Sequence, residues 1–288
     1  DPSGFKDPEL KYTNADGFKC NEIGYITEYT GTAEEVILPQ TIGDVTISDM
    51  ENALFKGHTE IKSVIIPEGY EVISREAFKD CTSLERVEIA SSVTYISTYA
   101  FEGCTALKEV VFNEGLTGIA AYAFDGCTAL GDITLPSSTV AVGAYAFRNT
   151  SMDGATFICK GNAVFDTWAL AESGFKTVQF LGNCDLSIDA VLAYAKVENL
   201  TIGEGTEVLG SNFASTDFGE TTPLTVSLPE SLKEIGDGAF SQREGLTEID
   251  LKNVEVIGED AFSYTGLWEL LIPGTVKQVG EAFDSCRQ

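Results

Sequence analysis

The chain has 288 residues, 43% of them hydrophobic, which is enough apolar material for a well-formed core. Its 45 acidic and 18 basic residues give a formal net charge of −27, which disfavours binding to nucleic acid or to an anionic membrane, because both attract a positive surface. No apolar run reaches the length of a membrane-spanning helix, so we expect no direct membrane insertion, and the large charge of one sign favours a monomer.

The first segment of the chain, residues 1–30, lacks a repeated pattern and is predicted to form an N-terminal cap. It opens with "DPSGFKDPELKY", which has no apolar leader and is typical of a mature or trimmed N-terminus. We therefore expect that any leader or surface anchor lies outside this chain.

Residues 31–288 repeat one pattern, marked in each copy by a large apolar side chain that usually follows alanine. These positions are Phe55, Phe78, Phe101, Phe124, Phe147, Leu170, Leu192, Phe213, Phe240, Phe262 and Phe283. The first six are 23 residues apart and the others are 21 to 27 apart. Self-similarity at this period indicates a single solenoid of about eleven repeats, ending in a half-repeat.

One part of each repeat has the form L-x-x-V-x-I, as in "LERVEI" at residues 84–89. The alternation and the β-branched residues predict a short strand with Val87 and Ile89 inward and Arg86 and Glu88 outward. About eleven such strands run from residues 34–39 to residues 269–273. Stacked in parallel, they place each residue over its equivalent in the next repeat.

The other part of each repeat has the form I-x-x-x-A-F. Ile96, Ala100 and Phe101 are four and five residues apart, which fits one face of a helical turn directed inward. Polar turns that contain Pro, Gly or Ser join the two parts. Neither part can bury its apolar edge alone, so neighbouring repeats must share one core.

The combined pattern I-x-x-x-A-F-x-x-C-x-x-L-x-x-V-x-I-P resembles the BspA-like class of leucine-rich repeats over roughly residues 25–288, although repeats at 150–215 are degenerate. The resemblance implies an α/β solenoid, a right-handed superhelix with a parallel sheet on its concave face and short helical turns on its convex face. It also implies a secreted or surface-attached bacterial protein, of a class associated with adhesion to host matrix proteins or other cells.

Outward side chains of the strands form columns that could bind a partner. The candidate residues on this concave face are Arg86, Glu88, Glu109, Val111, Asp132, Thr134, Gln179, Glu248 and Asp250. The centre of the array is small and hydroxylic, and both ends carry acids. Broad solenoid faces of this kind commonly bind proteins, but the same residues would also be tolerated on a solvated sheet.

The residue before each Ala-Phe pair forms an aromatic row: Tyr99, Tyr122, Tyr145 and Trp168. Glu76 holds the same place in a flanking repeat, which predicts a partly solvated position. The row could contact a glycan or another partner, or its rings could simply stack on one another and brace the convex layer.

Cysteines fall into two groups. Cys81, Cys104, Cys127 and Cys286 form a column at the repeat spacing, which has no zinc-ligand signature and favours small buried thiols. Cys20, Cys159 and Cys184 lie outside the column, and neither a 20–159 nor a 20–184 bridge is ruled out by the sequence. The odd total of seven argues against a fully paired framework.

Catalytic motifs are missing from the sequence. His58 is the single histidine, it lies in a turn, and no nucleophile motif accompanies it. We therefore expect a non-enzymatic protein without a cofactor or metal. The leading hypothesis is an extracellular or cell-surface adhesion module that binds a protein, such as a host matrix protein or surface glycoprotein. The alternatives are carbohydrate binding along the aromatic row and a structural spacer within a larger surface protein.

Overall fold

The structure, a computed structural model, describes residues 12–286, and all its regular secondary structure is β. The first strands are β1 Tyr12–Thr13, β2 Phe18–Cys20, β3 Tyr25–Tyr29, β4 Glu35–Ile37, β5 Thr41–Ile42, β6 Val45–Thr46 and β7 Asp49–Met50. The next are β8 Ser63–Ile66, β9 Val72–Ile73, β10 Arg86–Ile89, β11 Tyr95–Ile96, β12 Glu109–Val111, β13 Gly118–Ile119, β14 Ile133–Leu135 and β15 Ala141–Val142. The last are β16 Ser151–Phe165, β17 Gly174–Asp185, β18 Lys196–Ile202, β19 Val208–Leu209, β20 Thr225–Ser227, β21 Glu234–Ile235, β22 Val256–Ile257 and β23 Gln278–Val279.

The L-x-x-V-x-I strands stack in parallel, and this prediction is confirmed. They form two ladders, one of β4, β8, β10 and β12 and one of β14, β16, β17, β18 and β20. Val87 pairs with Val64 on one side and with Val110 on the other, so equivalent residues are in register. We call the outward side of these nine strands the strand face. The segments at residues 247–251 and 269–273 follow the pattern but form no ladder.

Another ladder, made of short strands, lies across the core from the strand face. It joins the short strands β9, β11, β13 and β15 to the end of β16, with Ile73, Ile96 and Ile119 buried at equivalent positions. A single bridge between Leu186 and Leu209 leads on to β19, β21, β22 and β23. The isoleucine of the I-x-x-x-A-F part therefore belongs to a strand.

The predicted short helical turns are wrong, because no α-helix occurs among residues 12–286. Tyr99 and Gly103 have φ angles of 62° and 74°, in the left-handed region that a right-handed helix excludes. The N–H of Phe101 donates to Ala123 O at 2.8 Å. The N–H of Gly103 donates to Asp125 O, also at 2.8 Å. Every second N–H of this arc thus bonds the next repeat, whereas a helix would keep it within its own turn.

The glycine at the second left-handed position provides a test of this backbone. Gly126 has φ 74°, and a Cβ there would meet only ordinary contacts, the nearest at 3.7 Å. Gly126→Ala should therefore cost only the left-handed penalty, about 1–2 kcal/mol. Glu172 is exposed at the equivalent position with φ 56°, so Glu172→Gly should instead stabilise by about 0.5 kcal/mol. Urea unfolding would measure both, and equal signs would contradict this account.

The core is built around a stack of phenylalanines. Adjacent rings of Phe55, Phe78, Phe101, Phe124 and Phe147 lie 4.9–5.3 Å apart and within 9° of parallel. Phe213 breaks this order, because its ring is tilted by 75° to Phe240. In the regular repeats the N–H of phenylalanine donates to the alanine carbonyl of the next repeat, as Phe101 does to Ala123. Here Ala214 makes that bond, to Ala239 O, so Ala214 is the backbone equivalent of Phe240. The sequence "NFA" has inverted the usual Ala-Phe order.

The N-terminal cap is a small antiparallel sheet. Strand β3 pairs antiparallel with β2 and parallel with β7, which joins the cap to the first repeat. Part of the predicted cap, residues 1–11, lies outside the described residues. Among residues 12–286 there is no helix long and apolar enough to cross a membrane.

Candidate functional site

The first part of the strand face holds a charged network. Arg86 Nε lies 3.0 Å from Glu109 Oε2, and Arg86 Nη1 lies 3.2 Å from Glu88 Oε2. The ladder places these residues together, because Arg86 is the register partner of Glu109. Val111, which is half-buried, follows Glu88 in the middle column. One arginine thus pairs with two carboxylates, so these three side chains together keep a net negative charge and exposed oxygens.

The centre of the strand face is polar and uncharged in its middle column. Thr134 is exposed and pairs in register with Thr156, which pairs with Gln179. Thr156 Oγ1 donates to Gln179 Oε1 at 3.4 Å. Asp132 accepts the N–H of Gly154 at 2.7 Å, so this carboxylate bonds the backbone of the neighbouring strand β16. The ladder is broken between β12 and β14, so Val111 and Thr134 have no register pairing.

The C-terminal acids of the predicted face are not on a ladder. Glu248 and Asp250 are exposed within the unpaired segment 247–251. Lys252 Nζ lies 2.9 Å from Asp250 Oδ2 and holds the pKa of that carboxyl below its usual value. The N–H of Lys252 also donates to Asp250 Oδ1 at 3.2 Å, and such a local turn competes with ladder formation.

Large apolar side chains at both ends of the array were overlooked as candidates. Ile37 is 63% exposed and Leu271 is 87% exposed, at the two ends of the middle column. Trp268, three residues before Leu271, is 76% exposed. Phe218, in the insertion at residues 216–223, is 77% exposed and packs edge-on to Tyr264. For Ile37 and Leu271, the sequence signal was an apolar side chain at an outward position of the strand pattern.

The aromatic row is a continuous stack. Tyr99 and Tyr122 are 5.2 Å apart, Tyr122 and Tyr145 are 5.3 Å apart, and Tyr145 and Trp168 are 5.6 Å apart. Arg148 Cζ lies 5.0 Å from the centre of the Tyr122 ring. Neighbouring rings cover one another's faces, which is the bracing arrangement, and a stacked sugar would need an open face. Tyr99 and Trp168 are the two ends of the stack, and of these two Trp168 is the exposed one.

The cysteine column consists of free thiols, which are buried at Cys81, Cys104 and Cys127 and partly exposed at Cys286. Cys81 Sγ donates to Phe55 O at 3.0 Å, and Cys104 Sγ donates to Phe78 O at 3.1 Å. Burial raises the pKa of Cys81 to about 12 and raises the pKa of Cys104 well above its usual value. Reactive cysteines have lowered pKa values and are accessible, so these thiols have a structural role.

Cys159 and Cys184 form a disulfide, which replaces the two bridges to Cys20 that the sequence left open. Cys20 is buried as a free thiol. The register between β16 and β17 shifts between Lys160 and Ala163. Cys159 therefore pairs with Gly182, and Cys184 pairs with Ala163. That irregularity turns the two sulfur atoms toward each other, which evenly stacked side chains would not do.

Reduction of this disulfide should lower the free energy of unfolding by about 3 kcal/mol, because it closes a loop of 25 residues. Guanidinium unfolding with and without dithiothreitol would measure the loss. A Cys159→Ser, Cys184→Ser variant should match the reduced protein and be insensitive to dithiothreitol. A midpoint that does not move on reduction would contradict the prediction.

His58 is part of a small packed cluster at the N-terminal end. Its Nδ1 lies 2.7 Å from Glu60 Oε1, and its ring centre is 5.5 Å from Tyr29. The Cys81 thiol nearby is buried and its pKa is raised, so this sulfur is not an activated nucleophile for the pair. Within residues 12–286, no group of three His, Cys, Asp or Glu side chains is arranged to hold a metal ion.

Comparisons with known proteins agree with the repeat pattern. The profile described as "BspA type Leucine rich repeat region" matches in six copies, over residues 48–176 and 193–288. No curated protein matches the sequence.

Three solved structures illustrate the likeness. The leucine-rich repeat protein TpLRR of T. pallidum is 25% identical, with 69% of this chain and 88% of that chain covered and a TM-score of 0.49. A leucine-rich repeat protein of Bacteroides ovatus is 20% identical over 98% and 92% of the chains, with a TM-score of 0.41. A leucine-rich cell surface protein of Faecalibacterium prausnitzii is 19% identical over 96% and 90%, with a TM-score of 0.43.

Proposed function

Since this chain belongs to the BspA-type leucine-rich repeat family, we propose that it is a non-catalytic module that binds a protein partner through the strand face. The alignment of outward side chains carries the proposal. Two ladders, one of four and one of five parallel strands, each hold them in register, so a partner would meet a rigid surface that loses little conformational entropy on binding. Families with this scaffold vary the surface and keep the core, so the partner is set by the outward residues.

The proposed partner is an extracellular protein, such as a host matrix or surface glycoprotein, and the proposed location is the cell exterior. The Cys159–Cys184 disulfide supports that location, because such bonds persist in oxidising compartments and are rare in the cytosol. The acids Glu88 and Glu109 of the strand face, with Glu248 and Asp250 in the segment that follows it, favour a partner whose contact surface is basic at corresponding points.

A pull-down against a panel of matrix proteins and mucins would identify the partner. Replacing two strand-face residues together with one acid of the unpaired segment 247–251, Glu88→Lys, Gln179→Ala and Asp250→Lys (the strand-face variant), should then weaken binding at least tenfold. The matched control changes net charge by the same amount on the turn side, with Glu172→Lys and Glu259→Lys, and should bind within twofold of the native chain. Unchanged binding of the strand-face variant would argue against this surface.

A further inference from the structure

The outermost strand of the strand face, β4, has a free edge. Strand β4 pairs only with β8, and within residues 12–286 no strand pairs with its other side. The N–H of Leu38 donates to Ile65 O at 3.0 Å, so residues of that parity face β8. Because alternate residues of a parallel strand face one neighbour, the N–H and C=O groups of Glu35 and Ile37 point away from β8.

That free edge forms one wall of a groove. The groove has a volume of about 720 Å³ and is lined by residues 15–18, 29–33 and 35–37. The opposite wall is the cap hairpin, where the backbones of Gly17 and Gly31 touch: a Cβ on Gly17 would lie 2.6 Å from Gly31 N. A rigid wall facing a strand edge is a geometry that accepts one more extended chain.

Charge and exposure in the groove restrict what can bind there. Asp16 and Glu35 are exposed on its rim, and no lysine or arginine of residues 12–286 forms an ion pair with either. Ile37, beside them, is 63% exposed. A second copy of this chain would bring another −27 of charge to an already acidic edge, which disfavours self-pairing. Glu35 and Ile37 share the outward face of β4, and the apolar residues Phe18, Tyr29 and Val36 also line the groove. The site therefore suits an extended segment with basic side chains on its outward face and apolar side chains on its inner face, which is an alternating sequence.

We propose that this groove binds an extended basic peptide segment of a partner protein by adding it as a strand to β4. The peptide backbone bonds the free N–H and C=O groups of Glu35 and Ile37. Its basic side chains lie on the outward face, where their charges meet Asp16 and Glu35 and their methylene stems cover Ile37. Its alternate apolar side chains face the inner side of the groove, which Phe18, Tyr29 and Val36 line. This site is an edge of the sheet and does not depend on which partner, if any, binds the strand face.

The probe is a fluorescently labelled peptide of alternating valine and lysine, and its binding to the full chain is followed by fluorescence anisotropy. Ile37→Pro removes the N–H that faces the groove and keeps the bonds to β8, and it should weaken binding about tenfold. Leu271→Pro, at the other exposed end of the same column, is the matched control and should bind like the native chain. The strand-face variant Glu88→Lys, Gln179→Ala, Asp250→Lys should also bind normally, which separates this site from the proposed function.

Two altered peptides test the mode of binding. Methylation of alternate backbone nitrogens removes one edge of donors, and replacing lysine with glutamate reverses the charge; neither peptide should bind. If Ile37→Pro lowers the unfolding temperature, the Asp16→Lys, Glu35→Lys variant serves instead and should abolish binding. Equal binding of the methylated peptide would overturn the proposal. Failure of the valine–lysine peptide to bind the full chain would also overturn it, leaving the chain's own first residues or a second copy as occupant.

Discussion

Replacing Phe124 with alanine is expected to lower the free energy of unfolding by about 4 kcal/mol. Phe124 is fully buried and lies 5.2 Å from Phe101 and 5.3 Å from Phe147, with Phe112 edge-on at 6.1 Å. The substitution therefore leaves a cavity in the middle of a ring stack that cannot close without moving two repeats. Overlap of neighbouring repeats is what stabilises a solenoid, so the damage extends beyond one side chain.

Guanidinium unfolding followed by circular dichroism and by tryptophan fluorescence would measure this loss. Both tryptophans, Trp168 and Trp268, lie C-terminal to Phe124, so a split between the two signals would show that the repeats on either side unfold separately. Phe218→Ala is the control, because that ring is 77% exposed, and it should change stability by less than about 0.5 kcal/mol. A loss below about 1 kcal/mol for Phe124→Ala would contradict the role of the stack.

The second large effect is expected at Arg243, which is only 1% exposed. It stands three residues after Phe240, at the position that cysteine holds in the regular repeats. Its Nε donates to Ala214 O at 2.5 Å, and its Nη2 donates to Ala195 O at 2.7 Å. The side chain thus reaches back two repeats, past the insertion at residues 216–223. Burial lowers its pKa to about 10, so it remains a cation at neutral pH, with Glu220 as the nearby opposing charge.

Arg243→Ala should destabilise the protein by about 4 kcal/mol, because it orphans two buried carbonyls and leaves a cavity. Arg243→Met fills most of that space and should lower the free energy of unfolding by about 2 kcal/mol. It loses the same two hydrogen bonds, but it no longer requires a charge to be buried, which offsets part of the loss. Arg75→Ala, at an arginine whose side chain is 60% exposed, should have little effect. Urea unfolding would compare the three variants. If Arg243→Met were as stable as the native chain, only the stem of the arginine would matter.

Repetition made the main architecture predictable. A period of 23 residues requires equivalent positions to stack, and the register of Val64, Val87 and Val110 follows from that alone. The absence of a helix was not predictable from the same pattern. The spacing of Ile96, Ala100 and Phe101 predicts that these side chains point inward. A helical turn and an arc with left-handed residues are equally compatible with that spacing. Hydrogen-bond partners decide between the two, and those lie in the next repeat.

The candidate site was predicted best where the period is regular. Arg86 and Glu109 were expected to be neighbours in one column, and the structure places them side by side, where they form an ion pair. Asp250 was expected on the same sheet, but its local turn with Lys252 removes it from the ladder. The disulfide was missed because Cys159 and Cys184 are 25 residues apart, two more than the period, and the extra residues form the irregularity that brings them together.

The bonds between successive repeats run along the length of the molecule, in both ladders and in the left-handed arc. A force applied to the two ends would therefore open these bonds a few at a time, as in unzipping, instead of shearing a whole sheet at once. We expect the repeats to come apart one by one at low force and the stack to lengthen stepwise. The Cys159–Cys184 bond sets a limit on that lengthening, because it withholds 25 residues, about 90 Å of extended chain, until it is reduced. Under tension, the protein would therefore extend to a length that depends on the redox state of its surroundings. Single-molecule pulling with and without reductant would measure the difference in length.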